Sequence, residues 1–273
     1  PGNDQGQLAT DKSRYYLTGA RTGMGSFRAV KRSVITGGVM AALTAFVSAG
    51  AETADATQES TDSSERTIEV AGVLFEPART GDYKAANFRQ ADELIREAAS
   101  RGVELVCTYE QFLDGYGRDA NKMKGAGDPQ ATRCEIMGES VYIRRLGELA
   151  RELHIAIAAG VAIREGEKTF NSVLLFDSTG TLVGIYRKTH NAGNYARWFA
   201  PLTDEDKKAA CPSFPIADGR LSVKICNDRR FPETTNYMIE NGCELLLCPA
   251  FGKYSADQLV SDTKRFGIWA VFV

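Results

Sequence analysis

The chain has 273 residues, 43% hydrophobic and 25% charged, with 33 Lys and Arg against 35 Asp and Glu. That balance describes a globular protein with a core of normal size and excludes disorder as its main state. A formal net charge of -2 offers no basic field for a phosphate backbone, so no nucleic-acid partner is expected, and 26 Gly and 8 Pro without a short repeat exclude a collagen-like or solenoid architecture.

The first 66 residues differ from the rest. Pro1 to Gly23 have little apolar periodicity and read as an upstream or non-mature segment. From Met24 to Ala51 the pattern is that of a signal peptide. Arg28, Lys31 and Arg32 form a positive start, Val34 to Ala49 is an uncharged apolar run, and Ala49-Gly50-Ala51 supplies small residues for cleavage. An exported protein, periplasmic or secreted, is expected. The alternative is an uncleaved membrane anchor, but the run is interrupted by Thr36, Gly37, Gly38 and Thr44 and falls short of the roughly 20 apolar residues of a spanning helix. Lys31-Arg32-Ser33-Val34-Ile35 is similar to a twin-arginine signal with Lys in the first basic position, so the export route stays open. Glu52 to Arg66 has linker composition, which places the start of the folded domain at Thr67.

Strands and helices then alternate. Ile68–Leu74 reads as a strand and Lys84–Arg101 as a helix with Phe88, Ala91, Leu94, Ile95 and Ala98 on one face, closed by Gly102. Val103–Cys107 returns as a strand, followed by a Gly- and Asp-rich loop from Asp114 to Gly138 and a helix over Ser140–Leu153. Strands are expected at Ile155–Ile163, Ser172–Phe176 and Thr181–Tyr186, the last two joined by the turn Asp177-Ser178-Thr179-Gly180. Leu221–Cys226 and Glu244–Leu247 are further strands around a helix over Pro232–Asn241 that starts with Pro. A helix over Ser255–Phe266 and the apolar Ala270–Val273 complete a layered α/β domain; the ending reads as a strand cut short.

Six cysteines are too sparse for a disulfide scaffold, and none shows the CxxC spacing of a metal or redox site. Cys243 and Cys248 stand in an apolar run, where a strand would turn them to opposite faces, and read as packing residues. Three other segments set a reactive side chain just beyond an apolar strand, where α/β sheets present their active groups. They end in Thr108-Tyr109-Glu110, Arg187-Lys188-Thr189-His190 and Ile225-Cys226-Asn227-Asp228-Arg229-Arg230. Taken singly, Glu110 and Lys188 could be solvated charges and Cys226 a packed thiol.

Together these segments resemble the carbon-nitrogen hydrolase family of the nitrilase superfamily, in which Glu, Lys and Cys follow three successive strands in this order. The likeness runs from Thr67 to Val273 and includes Phe170-Asn171-Ser172, Tyr186 to His190, and Cys226 to Glu233. It implies a four-layer α-β-β-α sandwich, with part of the domain missing beyond Val273. It also implies a homodimer, no metal or organic cofactor, and a small-molecule amide as substrate. Cys226 would be the nucleophile, Glu110 the general base, and Lys188 with the backbone N–H of Asn227 the oxyanion holders. His190 as the base of a thiol protease-like dyad is the competing mechanism, and His154 is read as structural.

The run Cys-Asn-Asp-Arg-Arg-x-Pro-Glu is most similar to the N-carbamoyl-D-amino acid amidohydrolase branch, in which an arginine grips the substrate carboxylate. Arg229 and Arg230 are therefore expected to bind substrate, unless they pair internally with Asp228 or Glu233. A general aliphatic or omega-amidase and a non-catalytic binding relative are the rival readings. Phe231 stands where that branch more often has Trp, and Tyr195 stands where most members carry a second Glu.

Overall fold

The computed structural model describes residues 17–18, 33–34, 40–47, 66–116, 133–193, 198–209, 211–216, 219–252 and 256–273. The remainder of the segments preceding Arg66, Tyr195 and the middle of the 114–138 loop lie outside the described residues. The elements are β1 (Leu17–Thr18), β2 (Ser33–Val34), β3 (Met40–Val47), β4 (Arg66–Val73), α1 (Tyr83–Ser100), β5 (Leu105–Thr108), β6 (Glu135–Ile136), α2 (Val141–Leu153), β7 (Ala156–Glu165), β8 (Lys168–Phe176) and β9 (Leu182–Arg187). They continue with α3 (Asp204–Ala209), β10 (Phe214–Ile216), β11 (Gly219–Val223), a 3-10 turn (Cys226–Arg230), α4 (Pro232–Glu240), β12 (Leu245–Cys248), α5 (Asp257–Phe266) and β13 (Trp269–Phe272).

Local chemistry explains the boundaries. Ser140 caps α2 by accepting a hydrogen bond from the Ile143 N–H, and His154 ends that helix in the left-handed conformation at φ 55°. The turn between β8 and β9 is closed by Asp177 Oδ1, which accepts from the N–H groups of Thr179 and Thr181. Leu105 to Thr108 are all buried, as are Leu245 to Cys248. Unbroken apolar runs of this kind belong to strands covered on both faces.

Among the described residues the strands form two sheets, ordered β2-β3-β4-β5-β7-β8-β9 with β6 beside β7, and β1-β13-β12-β11-β10. β4, β5 and β7 run parallel, as do β11, β12 and β13. Helices α1 and α2 pack on the first sheet, α5 packs on β13, and α4 packs on α5. The sheets approach each other closely, because a Cβ on Gly184 of β9 would come within 2.0 Å of the Phe214 ring in β10. The architecture is the four-layer α-β-β-α sandwich expected by resemblance. It puts the ends of β5, β9 and β11 near one another.

The fold also reaches further back than Thr67. Met40–Val47, inside the stretch read as an export signal, pairs antiparallel with β4, Met40 opposite Val73 and Val47 opposite Arg66. An uncharged apolar run suits a strand inside a sheet as well as a signal segment, so composition does not distinguish the two. Among the described residues no helix is long and apolar enough to cross a membrane.

Candidate active site

Glu110 follows β5 on a turn whose next residue, Gln111, has φ 53°, a conformation that bends the chain sharply back over β7. Gly160 in β7 permits that turn: a Cβ there would lie 2.4 Å from the Tyr109 carbonyl oxygen. Thr108 Oγ1 accepts from the Gly160 N–H at 2.8 Å and the Phe112 N–H donates to the Gly160 carbonyl at 3.0 Å, which fastens the turn on both sides.

The Glu110 side chain is fully buried, and its Oε1 accepts from Lys188 Nζ at 2.5 Å and from Asn171 Nδ2 at 2.7 Å. Its Oε2 is buried without a hydrogen-bond partner. One oxygen is thus held by two donors and the other by none. Lys188 follows β9, and its backbone N–H donates to the Asn171 carbonyl at 2.8 Å, so Asn171 braces both partners of the ion pair. Burial opposes the Lys188 charge, yet the Glu110, Cys226 and Asp228 groups around it outweigh burial and raise its pKa.

Cys226 opens the 3-10 turn at φ 47°, and its N–H donates to the Pro249 carbonyl at 2.9 Å. Such a strained position after a strand turns the side chain out of the sheet. Burial, then the Glu110 charge, pushes the thiol up to about 11, against the pull of Lys188 and Arg229. The resting group is therefore a thiol, and a thiolate forms only with transfer of its proton.

The structure brings Glu110, Lys188 and Cys226 together. Asn227 follows, its Nδ2 donating to the His190 carbonyl at 3.2 Å, and its N–H stands in the first turn of a helix where intrahelical acceptors are lacking. Arg229 is buried, with its guanidinium donating to the Cys226 carbonyl at 2.5 Å and lying 3.8 Å from Sγ. Arg230 is exposed. Asp228 is engaged by Tyr186, Thr189, His190 and the Ile225 N–H.

His190 is placed differently from a general base. Its ring stacks on Phe231 with centroids 3.6 Å apart, Nδ1 is 2.9 Å from Thr189 Oγ1, and Nε2 is 3.7 Å from Glu233. Both ring nitrogens are directed at groups other than the thiol. Asn171 and Gly160 are site residues that the spacing of reactive side chains does not reveal. Asn171 lies in a family-like tripeptide, which is a signal for it, and Gly160 has none beyond its position in an apolar strand. Cys243 and Cys248 are buried free thiols, in line with packing. Among the described residues no group of three His, Cys, Asp or Glu is arranged to hold a metal ion.

Comparison with known proteins gives the family and the fold. The chain is 29% identical over 203 residues to the N-carbamoylputrescine amidase of Oryza sativa subsp. japonica, covering 73% of this chain and 64% of that protein. It is 31% identical over 172 residues to an omega-amidase of Homo sapiens, covering 61% of this chain and 58% of the relative. The chain thus spans less than two thirds of the length of these relatives. Among solved structures, Nit3 of Saccharomyces cerevisiae, a nitrilase-superfamily member, shares the fold with a TM-score of 0.62 at 20% identity, covering 75% of this chain and 74% of that one. The sequence profile described as carbon-nitrogen hydrolase matches residues 78–264, a span that contains Glu110, Lys188 and Cys226, and the chain belongs to that family.

Proposed function

We propose that this protein hydrolyses a linear, non-peptide C–N amide bond through a thioester on Cys226 and releases ammonia. The observation that carries the reading is the divided Glu110 carboxylate, one oxygen held by Lys188 and Asn171 and the other buried outside those hydrogen bonds, in a group that acts directly on the Cys226 thiol. In the first half-reaction Glu110 Oε2 takes the Sγ proton as the sulfur attacks the carbonyl carbon. Lys188 Nζ and the Asn227 N–H stabilise the oxyanion, at roughly 3–4 kcal/mol for each well-placed donor. Glu110 returns the proton to the departing nitrogen, which leaves as ammonia. In the second half-reaction Glu110 takes a proton from water, the hydroxide adds to the thioester, and the thiol is restored.

For the acyl group we propose an N-carbamoyl compound, an amino acid or a related amine. Hydrolysis of its thioester gives a carbamic acid that decomposes to carbon dioxide and the free amine. Support comes from the 29% identity to an N-carbamoylputrescine amidase and from the Arg229 guanidinium near Sγ, a cation suited to a substrate carboxylate. The 31% identity to an omega-amidase favours a second reading, a simple carboxamide. A homodimer, from the family resemblance, and an export segment over residues 24–51, from its charge and apolar pattern, belong to the same proposal, and cleavage after Ala51 would remove the β3 strand from the sheet.

Ammonia release from a panel of N-carbamoyl amino acids, N-carbamoyl amines and simple carboxamides tests the proposal. Turnover is expected to vanish in Cys226→Ala while the fold survives. Retention of more than a few per cent of wild-type activity in that variant would overturn the nucleophile assignment, and a preference for simple carboxamides would select the second reading.

A further inference from the structure

Asp228, two residues past the thiol, is fully buried and takes hydrogen bonds from two parts of the chain that are far apart in sequence. From the end of β9, the Tyr186 hydroxyl donates to Oδ2 at 2.8 Å, and the Thr189 hydroxyl and the His190 N–H donate to Oδ1 at 3.0 and 2.7 Å. From the strand end before Cys226, the Ile225 N–H donates to Oδ2 at 3.0 Å. Lys188 lies inside the first group of donors, and Cys226 follows Ile225. The carboxylate is thus a clasp between the segment that bears the amine and the segment that bears the thiol. Resting on the triad reading above, we infer that Asp228 is a positioning residue that locks the Lys188 segment to the Cys226 turn and acts as a second counter-charge for Lys188.

The second role follows from charge bookkeeping. When Glu110 takes the thiol proton it becomes neutral, and the negative charge passes to the oxyanion beside Lys188, so the anion nearest the amine changes during the reaction. Asp228 takes up no proton in that step and keeps its negative charge. The groups acting on Lys188 are Glu110 from the end of β5 and Cys226 and Asp228 from the turn. Those around Asp228 are Lys188, His190 and Tyr186 from the end of β9, with Lys224, Cys211 and Cys248 also within electrostatic reach. Burial opposes the Asp228 charge, but the His190, Lys188 and Tyr186 contacts outweigh it and hold the carboxyl below its usual range. The group is therefore a carboxylate across the working pH range.

The test separates this inference from the proposed reaction. In protein carrying 13C at the lysine ε-carbons, with Lys188 assigned by Lys188→Arg, Asp228→Asn is expected to lower the Lys188 titration midpoint by at least ~1 pH unit, the scale of one lost counter-charge. An unchanged midpoint in a folded variant would overturn the counter-charge role, whatever the substrate proves to be. Thr189→Val removes one donor of the clasp, keeps every charge, and provides a variant of nearly the same shape if Asp228→Asn does not fold. It is expected to lower kcat ~10-fold with KM changed less than ~3-fold, the pattern of reacting groups displaced from alignment. A wild-type kcat in Thr189→Val would overturn the positioning role. Absence of ammonia release by the wild-type protein from every amide would instead overturn the proposed reaction and leave the lysine titration to decide on Asp228.

Discussion

Two buried lysines stand at strand ends on the two sheets, and the fold uses them in opposite ways. Lys188 is 2.5 Å from Glu110 and within electrostatic reach of Cys226. Lys224 has no exposed surface, donates to the Phe231 carbonyl at 3.0 Å and to Thr235 Oγ1 at 2.5 Å, and lies 3.4 Å from Asp262 on α5. Burial is the largest influence on both amines. Around Lys188 the Glu110, Cys226 and Asp228 groups overcome it and raise the pKa, whereas around Lys224 burial prevails over Asp262, Asp228 and Cys248 and lowers it. One lysine is a charge held against Glu110 near Cys226, and the other ties β11 to α4 and α5. The lesson is that the closeness of the nearest carboxylate, 2.5 Å against 3.4 Å, rather than burial or residue type, separates the two amines.

The largest test of that contrast is a pair of substitutions. Lys188→Met removes the oxyanion donor, and kcat/KM is expected to fall at least ~1000-fold with a folded protein. Lys224→Met leaves Asp262 buried without its cation, which is expected to destabilise the fold by roughly 3–5 kcal/mol in denaturant melts while the folded fraction keeps activity within about 10-fold. Equal loss of turnover in two equally stable variants would dissolve the distinction.

A smaller effect is expected at the backbone that presents the partner of Lys188. Gly160→Ala sets a Cβ against the Tyr109 carbonyl, so the turn bearing Glu110 must move. A displacement of this kind is expected to lower kcat ~100-fold while Lys224 and its contacts are untouched. Wild-type kinetics in Gly160→Ala would mean that Glu110 does not depend on this close passage.

The smallest and most discriminating effect lies in alkaline stability. A lysine whose pKa is raised on folding contributes stability that is present below its unfolded value of about 10.4 and is lost as the pH rises through the folded value. A lysine whose pKa is lowered has the opposite sign, because the unfolded chain binds the proton more tightly, and stability is recovered as the pH rises towards about 10.4. The stability gap between wild type and Lys188→Met is therefore expected to narrow as the pH rises above that value. The gap between wild type and Lys224→Met is expected to widen as the pH approaches it. Denaturant melts across this range check the sign, and parallel curves for the two variants would contradict it.

Much of the scaffold was legible from local pattern. The helix expected over Lys84–Arg101 is found at Tyr83–Ser100, and the one expected over Ser140–Leu153 starts on Ser140 as its cap. The strand expected to run to Cys226 instead ends at Val223, because the chain leaves the sheet to form the 3-10 turn that lifts the thiol. Periodicity reports which residues are apolar, and Cys226 continues an apolar run, so the departure is invisible to it.

By itself the sequence determined the alternation of strands and helices, the reactive residue types at strand ends, and through their order the family. These are properties of neighbours, where spacing along the chain dictates which side chains share a face. Only the tertiary structure decided which groups meet. Glu110 and Lys188 are 78 positions apart, Glu110 and Asn171 are 61 apart, and His190 and Asp228 are 38 apart. Such contacts exist only once the sandwich has closed, and the burial that closure imposes sets the charge balance of each group. That is why the strand-end reading of Lys188 alone could not distinguish it from a solvated charge, while Lys224, which burial and Asp262 define, was passed over.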